Sequence, residues 1–352
     1  MNSKQRALAA IRGEQPDMVP VIPQAHVWAQ YYYGSSSDEC MWDGDKYADL
    51  QIRAWREFGW DGIFVATDSC ALADSLGLEV LYTDMGAAPG PEGILKSLAD
   101  VASLSMVDPT TTRLNEWIKA TRRLVQEVGD EVLVIARADA GPFSLAAQLR
   151  GMEHFLLEVG ESRHPEEIHR LLQFCADYGL WFARLLLEAG APIVTIGDAL
   201  ASGSLISPAT YERYVYPYHR YMAERVYEMG GLFSIHICGR NTRAFPKLVT
   251  TGADVLEFDA LTDFTAAWEA ADGHCCLLGS VPVSEVLTLG SPEEIEVDVR
   301  DRLAKVIPSS RYILSSGCAL SSNVPAANLH AMVAAGRTYG RYPDNSDPRT
   351  SA

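Results

Sequence analysis

Basic charge is scarce in this 352-residue chain: 29 Lys and Arg stand against 46 Asp and Glu, giving a formal net charge of −17. So acidic a chain has no general affinity for phosphate backbones or anionic membrane surfaces, both of which gather Lys and Arg clusters. Neither nucleic acid nor membrane is an expected partner. Uncharged apolar runs of spanning length are missing, and residues 1–20 are polar and helical in character rather than a basic, then apolar, then small-residue leader. The expectation is a soluble, cytoplasmic protein. No GxGxxG, P-loop, GxSxG or HExxH pattern occurs in a suitable context, which weakens nucleotide-binding, serine-hydrolase and zincin readings. The seven cysteines (Cys40, Cys70, Cys175, Cys238, Cys275, Cys276 and Cys318) do not suggest a disulfide framework in a large chain without a leader. Most are expected to be reduced core residues, with a few free to serve as metal ligands.

What the chain does have is 48% hydrophobic composition, enough for a sizeable core in one large α/β barrel or in two ordinary domains. Short Val-, Ile- and Phe-rich runs recur between longer stretches of helical periodicity, the pattern of repeated β/α units. Eight runs predict strands: 19–25, 62–68, 132–139, 192–198, 232–238, 255–259, 276–280 and 312–318. The fold class expected is therefore α/β, a single (β/α)8 TIM barrel over residues 1–341 with long loops at its carboxyl face, followed by a disordered tail, 342–352. Helix starts are explicit at Ser207-Pro208 and at the capping box Ser291-Pro292-Glu293-Glu294. Between 164 and 190 an apolar stripe that includes Cys175 predicts a helix packed on the barrel. Pro217 should bend or break the helix around it. Residues 35–45 and 69–115 exceed a minimal β/α unit, and both follow barrel strands, so they are candidates for a lid or docking surface.

His236-Ile237-Cys238 ends the fifth predicted strand, and period-two alternation puts His236 and Cys238 on one face. Cys318 sits at the matching end of the eighth. An imidazole and two thiolates form a soft, zinc-preferring set that leaves one position for a substrate. An isolated HxC pair is often incidental; the third donor at a matching strand end favours metal without settling it. Cys275 and Cys276 face opposite sides of one strand and read as packing. Asp68, Asp139, Asp198, Glu257 and Asp259 also fall at strand ends. Any one of them alone would cap a helix or pair with a basic neighbour, but five around one rim suggest a substrate site, with Glu257 the preferred candidate for the open metal position. The stretch His26-Val27-Trp28 with Tyr31-Tyr32-Tyr33 either lines a pocket for a flat ligand or covers the barrel end.

Several landmarks together carry a resemblance. They are residues 6–14 (RALAAIRGE) before Val19-Pro20-Val21, then 138–145 (ADAGPFSL), Gly197-Asp198-Ala199 with Ile206-Ser207-Pro208, and His236-Ile237-Cys238-Gly239. Leu278-Gly279-Ser280-Val281, 313–318 (ILSSGC) and Pro325-Ala326-Ala327-Asn328 complete them. Over nearly its whole length the chain resembles the uroporphyrinogen decarboxylase superfamily, and within it the zinc-containing corrinoid methyltransferases. The decarboxylases carry an arginine motif after the first strand where this chain reads Gln24-Ala25-His26-Val27-Trp28, and a histidine where it has Cys318. Asp68 matches the decarboxylase pattern and does not discriminate. The resemblance implies zinc on His236, Cys238 and Cys318, and a methyl group moved between a corrinoid (cobalamin), carried by a separate protein, and a small thiol. His26, Asp68, Asp139, Asp198, Asp259 and Ser280 would line the substrate site. Transfer from a methoxyarene or methylamine donor to the corrinoid, and metal-free decarboxylation, are the alternative activities.

Overall fold

The computed structural model describes residues 1–83 and 86–342, and its strands arise where β-branched and aromatic runs lie between turns. They are β1 Gly62–Val65, β2 Val80–Thr83, β3 Gly86–Pro89, β4 Leu133–Ala140, β5 Ile193–Gly197, β6 Leu232–Ile237, β7 Val255–Phe258, β8 Cys276–Val281 and β9 Tyr312–Ser316. An antiparallel hairpin, β2–β3, stands apart. The other seven form one parallel sheet in the order β1-β4-β5-β6-β7-β8-β9, with helices packed outside, and curl into a TIM-barrel-like fold. Strands buried on both faces read as near-continuous apolar runs, which is why they were visible in the sequence.

Alternation along the strands sorts the interior into layers. At the lower end Phe64, Leu133, Ile135, Ile193, Val255, Cys276, Leu278 and Ile313 form one apolar cluster with Ile22 and with Ala7, Ala10 and Ile11 of the helix Ser3–Arg12. Burying each large apolar side chain contributes about 1.5–3 kcal/mol, so this end supplies stability. Further along the same strands the buried residues turn polar: Arg137, Thr195, Ser234, His236 and Glu257. Buried polar groups lower stability unless they are paired, so this upper end is where function is to be sought.

The strand expected at 19–25 is replaced by a single parallel bridge, Val21 to Leu314. Pro20 and Pro23 lack the N–H donors needed to extend a ladder. The segment nevertheless ties the two edges of the sheet. Ile22 donates to the Leu314 carbonyl (2.8 Å) and Leu314 to Pro20 (2.9 Å), while Asp61 donates to the Val21 carbonyl (2.7 Å). The fully buried Asp61 carboxylate accepts from the Val21 N–H (2.8 Å), from Arg6 (2.7 Å) and from Arg337 (2.7 and 3.0 Å). One side chain thus fastens the closing segment, the first helix and the helix Ala326–Tyr339.

Other local signals act as read. Ser207 and Ser291 cap their helices, the helix Pro165–Glu188 buries Cys175, and the chain breaks at Val215 between Pro208–Tyr214 and Tyr216–Glu228, with Pro217 in the first turn of the second helix. The long connections carry structure of their own: Ser37–Met41 is a short helix with a Ser36 capping box, and 69–115 holds the β2–β3 hairpin and the short helix Ala71–Ser75. Apart from Tyr342, the expected tail lies outside the described residues. Among those residues no helix is long and apolar enough to cross a membrane.

Candidate metal centre

His236 lies on β6, Cys238 just beyond it and Cys318 just beyond β9, and the curl of the sheet brings all three together. His236 Nε2 is 3.1 Å from Cys238 Sγ and 3.6 Å from Cys318 Sγ, and the two sulfurs are 3.6 Å apart. This is the one cluster of three or more metal-type donors found among the described residues, with ligand atoms all within 4.8 Å of one another. The hydrogen bond from Cys238, helped by His236 and opposed by burial, lowers the Cys318 pKa to about 3. The same hydrogen bond, together with burial, raises that of Cys238. Burial alone would lower the His236 pKa, but its hydrogen bond with Cys318 and the Cys318 and Glu257 charges raise it overall.

Glu257 stands behind His236 rather than among the sulfurs. Its Oε1 accepts from the hydroxyls of Thr195 and Ser234 (2.6 Å from the latter). Oε2 is 3.8 Å from His236 Nδ1, and neither of these two atoms has another partner. A carboxylate on the far nitrogen of a ligating imidazole fixes the tautomer and orients the ring. Glu257→Gln is therefore expected to weaken metal binding by about 10- to 100-fold while leaving the trio intact, measured by competition with a chelator; unchanged affinity would leave Glu257 without that role.

The remaining rim residues go to different tasks. Asp259 accepts from the backbone N–H of Gly239 (2.9 Å) and Leu261 (2.8 Å), holding the turn that follows Cys238; Gly239 takes φ +79°, which favours glycine there. Asp198 is fully buried and accepts from the Ser144 N–H and hydroxyl (both 2.7 Å), the Phe143 N–H (3.2 Å) and His219 (2.9 Å). It thereby caps the helix Pro142–Arg150 from a distant strand end. Asp68 is paired bidentately with the buried Arg113, which also binds Asp74 (2.7 Å). Asp139 accepts from Leu72 N–H (2.7 Å), and burial, reinforced by the Asp68 charge, raises its pKa to about 7. Ser280 accepts from Arg302 (3.1 Å) of the outer helix Pro292–Val306. His26 is buried, its ring centroid 6.1 Å from that of Phe64, and burial followed by the charges of Arg137 and His236 pushes its pKa well below the usual histidine value.

The aromatic stretch is a packed cover: Trp28 stacks on Tyr32 (4.7 Å) and meets Phe58 edge-on (5.3 Å). Cys275 and Cys276 are buried in different clusters, as packing residues. Sequence reasoning passed over Arg137, although alternation on β4 gives a signal: it is the one cation in a fully buried strand whose only other charged residue is Asp139.

The uroporphyrinogen decarboxylase (URO-D) family model matches residues 2–339, and the chain belongs to that family. Members of more than one activity lie near it. The methylcobamide:CoM methyltransferase MtbA of Methanosarcina mazei is 29% identical over 341 residues, covering 96% of this chain and 98% of that protein. A uroporphyrinogen decarboxylase of Synechococcus sp. is 25% identical over 346 residues, covering 94% and 95%. The solved structure of a methyltransferase from Methanosarcina mazei aligns with TM-score 0.86 at 20% identity, covering 96% and 99% of the two chains, which establishes the fold.

Proposed function

We propose that this chain is a zinc-dependent methyltransferase that moves a methyl group from a corrinoid, carried by a separate protein, to a small thiol. The observation that carries the reading is the convergence of one imidazole and two thiols from two distant strand ends. Zinc bonded to sulfur at about 2.3 Å and to nitrogen at about 2.0 Å in a tetrahedron sets such donors roughly 3.5–3.8 Å apart. The two 3.6 Å separations match that spacing, and the 3.1 Å pair needs a small adjustment. His236, Cys238 and Cys318 would hold the ion, whose chemistry when bound is to take a thiol sulfur and favour its deprotonation at neutral pH.

The chain's own residues supply the rest. Two thiolate ligands keep the centre low in positive charge, which preserves the nucleophilicity of an acceptor sulfur. Glu257, held by Thr195 and Ser234, orients His236, and Asp259 fixes the turn after Cys238. The likeness to a methylcobamide:CoM methyltransferase supports the methyl-donor class. The packing of Trp28 against Phe58 and Tyr32 removes the support that the aromatic stretch lent to a methoxyarene donor.

The test is spectrophotometric: methylcob(III)alamin incubated with the zinc-loaded protein and a panel of thiols should yield cob(I)alamin and the methyl thioether in equal amounts. Turnover of methoxyarenes alone would reverse the direction. A zinc-free protein that decarboxylates a porphyrinogen would overturn the reading.

A further inference from the structure

A guanidinium stays charged at every accessible pH, so a buried arginine is ordinarily paired. Two others in this chain obey the rule: Arg113 binds Asp68 and Asp74, and Arg6 binds Asp17 and Asp61. Arg137 does not. It is only 8% exposed, its Nε and Nη2 make no hydrogen bond, and among the described residues no carboxylate lies within ion-pair distance.

Its position gives that isolation a purpose. Arg137 is in register with Thr195 on β5, and Thr195 with Ser234 on β6; two residues further along, Gly197 is in register with His236. A Cβ placed on Gly197 would sit 3.0 Å from Arg137 Nη2 and 3.2 Å from its Cζ. The guanidinium therefore reaches up from its own layer into the space a side chain at 197 would fill, at the level of His236. Its charge is felt at His26, His236 and Cys238. Gly197 also lines a cleft of about 340 Å³ with Ala140, Ser144 and Leu200, at the carboxyl ends of β4 and β5. The barrel keeps a cation without a carboxylate partner beside the trio, against the glycine that borders this cleft, although neither Arg137 nor the trio is among the residues lining it.

We infer that Arg137 is the anion-recognition residue of this centre, taking the carboxylate or sulfonate of a short acidic thiol whose sulfur goes to His236, Cys238 and Cys318. The inference rests on the thiol-acceptor reading above and narrows its substrate class. Arginine suits the task because its planar fork meets either oxyanion with two parallel hydrogen bonds, and low local dielectric strengthens them. No counterion of the protein's own has to be displaced.

The test compares the wild-type protein with Arg137→Gln and Arg137→Lys by calorimetric titration of the zinc-loaded forms. The probes are mercaptopropionate, mercaptoethanesulfonate and uncharged mercaptoethanol. Wild type should bind at least one of the acidic thiols about 10- to 100-fold more tightly than mercaptoethanol, the span expected of charge-assisted hydrogen bonds; which acid is preferred separates carboxylate from sulfonate. Arg137→Gln should lose that preference while binding mercaptoethanol unchanged, and Arg137→Lys should keep part of it. The ligand-free Arg137→Gln protein should melt at or above the wild-type temperature, because an unpaired buried charge has been removed; a merely structural arginine would give the opposite.

No preference in wild type, equal weakening of charged and neutral thiols, or a fall in melting temperature of several degrees would each overturn the inference. A second arm separates it from the wider reading, using sulfur-free propionate and ethanesulfonate with metal-free protein. Their retention by wild type and loss in Arg137→Gln, when no thiol binds the zinc form, would sink the thiol reading and leave Arg137 as an anion site. Binding of neither class would sink both.

Discussion

Replacing Cys318 with serine is expected to strip the protein of bound zinc and to lower methyl transfer on the order of a thousandfold. Lewis-acid activation of this kind is worth several kcal/mol, and each 1.4 kcal/mol or so is a factor of ten in rate. Cys318 is the only one of the three donors that comes from outside the β6 end, so its loss leaves two ligands two residues apart, His236 and Cys238, and no closed set. Hydrogen bonds from Cys238 and from His236 also favour its thiolate form. A serine hydroxyl in the same place is a poor zinc ligand at neutral pH. Cys275→Ala, whose thiol packs in the main core, is the control: metal content by plasma emission should stay at one zinc per chain there and fall towards zero in Cys318→Ser. Equal zinc in both would remove Cys318 from the centre.

The largest expected effect on stability lies at the opposite end of the barrel. Asp61→Ala deletes a carboxylate that is fully buried and accepts from Val21, Arg6 and Arg337. Breaking a buried ion pair from one side costs about 3–5 kcal/mol, because the partner charges are left uncompensated. Arg6 keeps Asp17 at 2.7 Å and so is only partly orphaned; Arg337 loses the one carboxylate it pairs with among the described residues. For a chain of this length the loss corresponds to roughly 5 °C in melting temperature. Asp61→Asn, which preserves shape and part of the hydrogen bonding, should fall between. A shift below about 1 °C for Asp61→Ala would mean that the backbone bonds of Val21 and Ile22 suffice to hold the closing segment.

These two variants divide the barrel as its sequence does, but not all of that division could be read in advance. Seven of the eight predicted strands announced themselves because a parallel strand covered on both faces is an apolar run with sharp ends. The segment at 19–25 has the same apolar content, yet Pro20 and Pro23 cannot donate, and those two residues reduce it to a bridge. The convergence of the candidate metal trio was legible from alternation at His236 and Cys238 and from the matching strand end at Cys318. The carboxylates were harder, because their partners are remote. Asp198 is consumed by a helix start 54 residues earlier and by His219, and Asp68 by Arg113, 45 residues away. Strand-end position alone does not tell a capping carboxylate from a substrate ligand. Glu257 shows the same difficulty: its face was read from alternation, whereas the 3.8 Å approach to His236 Nδ1, away from the sulfurs, depends on how the strands are staggered. Arg137 needed only the question of why a cation interrupts a buried strand.

The most direct measurement is zinc K-edge absorption on the protein with and without an acceptor thiol. Two sulfur scatterers and one imidazole from the protein are expected, with a third sulfur appearing when thiol is added. A protein that binds no zinc, or a spectrum that thiol leaves unchanged, would contradict an open His236–Cys238–Cys318 centre.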